Sequence, residues 1–357
     1  MRNAFGPVID FWDVIRSGAM QLPSVEKISQ DRCEPRDETG YPIRRDQEYF
    51  TIRVSEMHLA ENRQWWTVYD PLVVIVTEFN HGSERVVIPS VIGPNLIKKQ
   101  EASDQPKHGV VLLDTRVVGP HPYKGGDVDI SVGFYRVQRA NYVKTLLKVV
   151  DSLANALGSP GEMQMIAKTG GAILEGLEGL LSLSETTYLA GHRLSLAVSP
   201  IEGFRAGYSA LITPPRPENP ALLKVKNRRL FMEHNSEDLP YRESDFVLLS
   251  VTGSDARGDE SLLPFYSLKV DAMNALSDGE DGLKRAKANL VAAYQQMRKS
   301  PDITQQEAGD LFEAWLAEFE VEKKRAERLG SMPIGDKETI VSSDTAALNN
   351  AVERLAL

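Results

Sequence analysis

Asp127-Val-Asp-Ile-Ser-Val-Gly-Phe-Tyr-Arg-Val137 alternates apolar and polar residues, the mark of a half-buried strand. It runs into two amphipathic segments, 141–157 and about 162–183, separated by Gly158-Ser-Pro-Gly161. Thr186 to Ser199 returns to strand-like sequence and reads as a hairpin turning at Gly191. A helical hairpin set inside a β-rich chain buries its apolar face only by lying on a sheet. The expectation is therefore an α+β fold: an antiparallel, β-sandwich-like sheet with a packed helical hairpin at 141–183 and a helical C-terminal module.

Outward from that stretch, Phe50, Ile52 and Val54 alternate with Thr51, Arg53 and Ser55. Leu72-Val-Val-Ile-Val76 is apolar on both faces and predicts a central strand covered on two sides. Arg85–Ile88, Val110–Leu113, Gly207–Thr213, Leu222–Met232 and Phe246–Thr252 complete the strand set. Turn signals stand at Asn80-His-Gly82, Gly93-Pro94 and Gly119-Pro-His-Pro122. Residues 7–30 suggest a short helix, and the polar stretch from Gln30 to Glu48 a long loop. The parts expected are an N-terminal helix and charged loop (1–47), a β-rich domain (48–262) and a helical module (263–357). Within the second part, 213–220 forms a proline-rich linker. In the third, Thr304-Gln-Gln-Glu307 is a capping box opening a helix striped by Leu311, Phe312, Trp315, Leu316 and Phe319. A final short helix is expected at 343–355, with Ala347, Leu348, Val352 and Leu355 on its apolar side.

The second helix of the hairpin carries Gly170, Gly171, Gly176 and Gly179, so its stability must come from packing. Insertion of that helix into a membrane would bury Lys168, Glu175 and Glu178 at cost.

Of the 357 residues 42% are hydrophobic and 25% charged, the balance of a globular protein. The net charge is −9 and is spread evenly: residues 269–357 hold 12 Lys/Arg against 16 Asp/Glu, or −4 of it. An even acidic surface disfavours nucleic-acid and anionic-membrane binding. One cysteine, Cys33, excludes an intramolecular disulfide. Residues 1–10 lack the apolar core of a secretion signal, and no run of about 18 apolar residues occurs. A soluble cytoplasmic protein without a transmembrane segment is the expectation.

Asp127 and Asp129, two apart on a strand, project from one face, as a divalent metal site requires. Gly125-Gly-Asp-Val-Asp-Ile130 superficially resembles the nucleotidyltransferase strand with its two metal-binding aspartates. That family places a glycine–serine turn and a helix before the aspartates, whereas here the glycines abut Asp127. The alternative reading is acidic residues on a solvated strand face. Lys224, Lys226 and Arg228 share one face of a strand and could contact phosphate. Trp65-Trp66 and the pair Trp315 and Phe319 are candidate partner contacts, with ordinary core packing as the competing reading. The six histidines are scattered, and neither a nucleophile elbow nor a phosphate loop is present.

These readings favour a non-catalytic binding or assembly protein without a cofactor, working through a protein partner or self-assembly. An accessory or sensor subunit of a bacterial stress or antiviral defence system would fit. The alternatives are a metal-dependent hydrolase or transferase using Asp127 and Asp129, and a Ca²⁺- or lipid-responsive, membrane-acting effector.

Overall fold

The computed structural model describes residues 24–36, 39–60, 63–64, 67–93, 110–138, 186–196 and 203–330. The hairpin expected at 141–183, the final helix at 343–355 and Trp65-Trp66 lie outside them. Two compact units divide the chain: one holds residues 1–264 and 298–307, the other 265–297 and 308–357. The fold is α+β, with antiparallel sheets and a set of long helices.

The first unit is built on two sheets. One has the order β1 (Ser24–Ile28), β12 (Gly207–Ile212), β16 (Phe246–Ser254), β4 (Tyr49–His58), β8 (Val110–Pro122). The other runs β10 (Thr186–Leu196), β9 (Val128–Gln138), β6 (Thr67–His81), with β7 (Glu84–Ile92) on the far side of β6 and β5 (Arg63–Gln64) at its start. All these pairings are antiparallel. Ile52, Val54, Val247 and Leu249 from the first sheet share one core with Val73, Ile75, Val132 and Phe134 from the second. Two sheets facing each other across interdigitated side chains make a sandwich.

The first sheet is covered on its other face as well. Tyr208, Ala210, Ile212, Phe246 and Leu248 form a second core with Val225 and Leu230. The latter two belong to a small sheet of β2 (Cys33–Glu34), β13 (Leu223–Lys226), β14 (Arg229–His234) and β15 (Glu237–Pro240). Glu56, fully buried at 0% exposure, ties these layers together. Its carboxylate accepts from the backbone N–H of Leu230 and from Arg242, both at 2.7 Å. A short pairing of β3 (Pro42–Ile43) with β11 (Phe204–Arg205) closes the unit.

Strand β6 is buried on both sides, Leu72 and Val74 as fully as Val73 and Ile75. Three local readings are corrected. Gly191 does not turn a hairpin: it sits opposite Gly133 within one continuous ladder, and the irregularity falls between Tyr188 and Ala190. Leu222–Met232 is not one strand, because Asn227 and Arg228, with φ of 49° and 64°, make a two-residue turn between β13 and β14. Gly119-Pro-His-Pro122 lies inside β8, where His121 pairs with Phe50.

The second unit contains α1 (Tyr266–Ala275), most of α2 (Gly279–Lys299) and most of α3 (Gln305–Gly330). Tyr294 and Phe312 stack at 4.3 Å, joining α2 to α3. Among the described residues no helix is long and apolar enough to cross a membrane.

Candidate functional site: a buried polar junction

Residues 298–307 join α2 to α3 but belong to the β-rich unit, and polar side chains hold them there. Thr304 caps α3 as the sequence predicts: its hydroxyl accepts from the N–H of Glu307 at 3.0 Å. The second half of the capping box is replaced. Instead of Glu307, the hydroxyl of Tyr49 accepts from the N–H of Thr304 at 3.0 Å. The same hydroxyl donates to the Glu307 carboxylate, which also accepts from the N–H of Arg257 at 3.1 Å.

Arg257 stands at the centre of this junction with its side chain 5% exposed. Its guanidinium grips the carboxylate of Asp259 and donates to the carbonyl of Asp302 at 2.6 Å. Lys124, just beyond β8, donates to the carbonyl of Ile303 at 2.7 Å and pairs with Asp46 at 3.2 Å. The N–H of Gln306 bonds the carbonyl of Asp46 at 3.2 Å. His81, at the end of β6, places Nε2 3.5 Å from the Asp302 carboxylate. His121 stacks on Phe79 at 5.0 Å and lies 6.3 Å from His81.

Removal from water sets the electrostatics. Burial pushes the Glu307 and Asp302 carboxyls above their ordinary values. It lowers His81 to about 4, helped by Lys124 and Arg257, and His121 to about 3. Burial and the bond to Glu307 drive the Tyr49 hydroxyl upward. Displaced titrations gathered at one place mark functional sites and structural networks alike. Here the hydrogen bonds run chiefly to the backbone of 302–307, so the chemistry is that of a clamp. Sequence reading saw Thr304 and Glu307 as a cap. It missed Tyr49, Arg257 and Lys124, whose partners lie far along the chain.

The acidic strand is placed differently from the expected pair. Asp127 precedes β9 and is exposed. Asp129 faces Glu78 directly across the β6–β9 ladder. Two arginines neutralise these opposed carboxylates: Arg85 lies 2.6 Å from Asp129 and 3.6 Å from Glu78, and Arg193 lies 2.9 Å and 4.0 Å away. Burial pushes the Asp129 carboxyl up, but the Arg193 bond and the two positive charges outweigh it and hold it below its usual value. Both guanidinium groups converge on Oδ2 of Asp129. Among the described residues no group of three or more His, Cys, Asp or Glu side chains is arranged to hold a metal.

Lys224 and Lys226 share a face, and both pair with Asp238, at 2.8 and 2.6 Å. Lys224 also pairs with Glu233 at 2.9 Å. Arg228 departs from that face because it sits in the β13–β14 turn, where it pairs with Asp114. Trp315 and Phe319 are 4% and 2% exposed. Trp315 packs on Phe265 and Tyr266 at 6.2 and 5.9 Å, so these residues form the core of the helical unit.

No family model, curated protein or solved structure matches this chain.

Proposed function

We propose that the protein is a non-catalytic binding or assembly factor that acts in the cytoplasm through protein partners, the helical unit supplying the contact surface. The observation carrying this reading is the placement of exposed aliphatic side chains. Of the six large hydrophobic residues exposed among the described residues, four lie on the helices: Val270, Val291, Leu316 and Val321, 39–51% exposed. The aromatic stripe of α3 is spent on internal packing, so this aliphatic set is what remains to offer a partner. Apolar area left in water favours association where it gathers into one patch. The salt-bridged carboxylates and lysines described above add support, since their charges are already matched within the chain.

The test is affinity purification of the full-length protein from its native host, followed by mass spectrometry. Val291→Asp and Val321→Asp should each reduce a specific co-purifying protein, or self-association in sedimentation, at least tenfold. Leu239→Asp, at a comparably exposed position on β15, should not. Equal recovery with all three variants would remove the helical unit as the contact surface.

A further inference from the structure

Residues 298–307 lie on the sandwich as a strap, with Ile303 and Thr304 fully buried. A side chain added at Gly82, in the turn after β6, would meet Pro301 at 3.3 Å, so the strap passes close over that turn. His81 is enclosed beside it. Its side chain is 10% exposed, and its Nδ1 is buried without a hydrogen-bond partner among the described residues. We propose that the strap is released by acid, a proton on His81 lifting residues 298–307 from the sandwich while the two sheets stay folded. The inference does not rest on the binding function proposed above.

The groups around His81 come from every element packed on it. Lys124, just beyond β8, and Arg257, beyond β16, are the cations. Both also fasten the strap, donating to the carbonyls of Ile303 and Asp302 at 2.7 and 2.6 Å. Glu84 of β7 is an opposing charge. Asp302 of the strap places its carboxylate 3.5 Å from Nε2, at the outer limit of hydrogen bonding. His121 of β8, its ring 6.3 Å away, is a second base and no counter-charge at neutral pH. An imidazolium donates from both ring nitrogens, yet Nδ1 has no acceptor here. The added charge would also face the two cations that hold the strap. Burial, then Lys124 and Arg257, outweigh Glu84 and keep the imidazole neutral down to about 4.

Opening the strap returns His81 to water and to its ordinary value of 6.5, so the opening equilibrium is linked to pH. A depressed histidine favours the closed strap above pH 6.5 and the open one as pH falls. From pH 7.5 to 5.5 His81 alone should raise opening ~tenfold. The sheets need not open with it. Side-chain bonds and single backbone bonds hold the strap, where a continuous ladder holds each sheet, and segments so held open below the global free energy. Asp302 and Glu307 titrate in the opposite sense, since a raised carboxyl favours the closed state as pH falls. Removal of His81 therefore identifies the trigger, which the pH profile alone does not.

Hydrogen exchange of the full-length protein at pH 7.5 and 5.5, corrected for intrinsic rates, measures the opening. Peptides covering 298–307 should exchange at least ~fivefold faster at pH 5.5, while those of β6 and β16 change less than ~twofold. His81→Asn and His81→Gln should each lose that acceleration, the second variant guarding against a fold change in the first. His58→Asn removes an equally depressed histidine from β4, beside Phe246, and should keep the acceleration. Equal protection of 298–307 at the two pH values overturns the proposal. Acceleration that persists in both His81 variants overturns it too. So does acceleration shared by β6 and β16, which would mean that the sandwich opens as a whole.

Discussion

The hydroxyl of Tyr49 donates to the carboxylate of Glu307 across 258 positions of sequence, and the same oxygen receives the N–H of Thr304. One phenol thus completes a helix cap that a glutamate would ordinarily complete within its own turn. Tyr49→Phe keeps the ring but leaves a buried carboxylate and a buried N–H each short of a partner. Such unmade bonds cost ~1–3 kcal/mol apiece. For the two groups together the expected loss in urea unfolding is ~2–6 kcal/mol. Glu307→Gln in the Tyr49→Phe background should add less than it does alone, because the two groups share one bond.

Local regularities of the sequence carried the sandwich. The alternation of Ile52 and Val54 and the two-faced run Leu72–Val76 show period and burial without reference to distant residues. Thr304 and Glu307 advertised a helix start for the same reason. The junction escaped because its parts have no common period: Asp46, Tyr49, Lys124, Arg257 and Asp302 meet only once the sheets are assembled. The spacing of Asp127 and Asp129 carries no information on what lies across the ladder. The register sets Asp129 opposite Glu78, and the arginines that answer them come from β7 and β10. Asn227-Arg228 escaped as a turn because arginine rarely takes positive φ.

Acidification should weaken the protein through its buried histidines. Burial lowers His58 and His81 to about 4 and His121 to about 3, from an ordinary 6.5. A depressed histidine contributes stability that is complete above pH 6.5 and is lost as pH falls, because the unfolded chain takes up the proton first. For His81 alone the shift corresponds to ~3 kcal/mol between pH 6.5 and 4. Asp302 and Glu307, both raised, act in the opposite sense, their contribution being complete at low pH and lost as pH rises. His81→Asn should therefore flatten the acid limb of stability against pH. An unchanged slope in denaturant titrations would show that His81 reaches solvent.

The pair of Glu56 with Arg242 offers a sharper test of layer packing. Glu56 is fully buried, while the Arg242 side chain is 28% exposed. Removing the arginine strands a carboxylate between two sheets, and breaking such a pair costs ~3–5 kcal/mol. Arg242→Met should lower stability by about that amount at pH 7, and less at pH 4, where Glu56, already raised by burial, takes a proton. Equal losses at the two pH values would contradict the assignment.

In the helical unit, neighbours in sequence should differ sharply in effect. Trp315→Ala empties a site bounded by Phe265 and Tyr266 and should cost ~3–5 kcal/mol. Leu316, 39% exposed, should tolerate alanine within ~0.5 kcal/mol. Helix melting followed by circular dichroism at the two variants measures the difference directly.

The opposed carboxylates of Glu78 and Asp129 yield the last prediction. Like charges directly across a ladder are destabilising, and Arg85 and Arg193 remove that penalty here. All four side chains are within reach of water, so each ion pair is worth little alone, ~1 kcal/mol or below. Wild type should show no thermal shift with Mg²⁺, Mn²⁺ or Ca²⁺, because two guanidinium groups already neutralise the opposed carboxylates. Substituting both arginines, Arg85→Met with Arg193→Met, uncovers two adjacent carboxylates and should lower the melting temperature. Millimolar Ca²⁺ should then restore part of the loss, since a bound cation stabilises by RT ln(1 + [L]/Kd). A wild-type shift that disappears in Asp129→Asn would instead mean that a metal displaces the arginines, and the metal-dependent enzyme would replace the binding protein as the better reading.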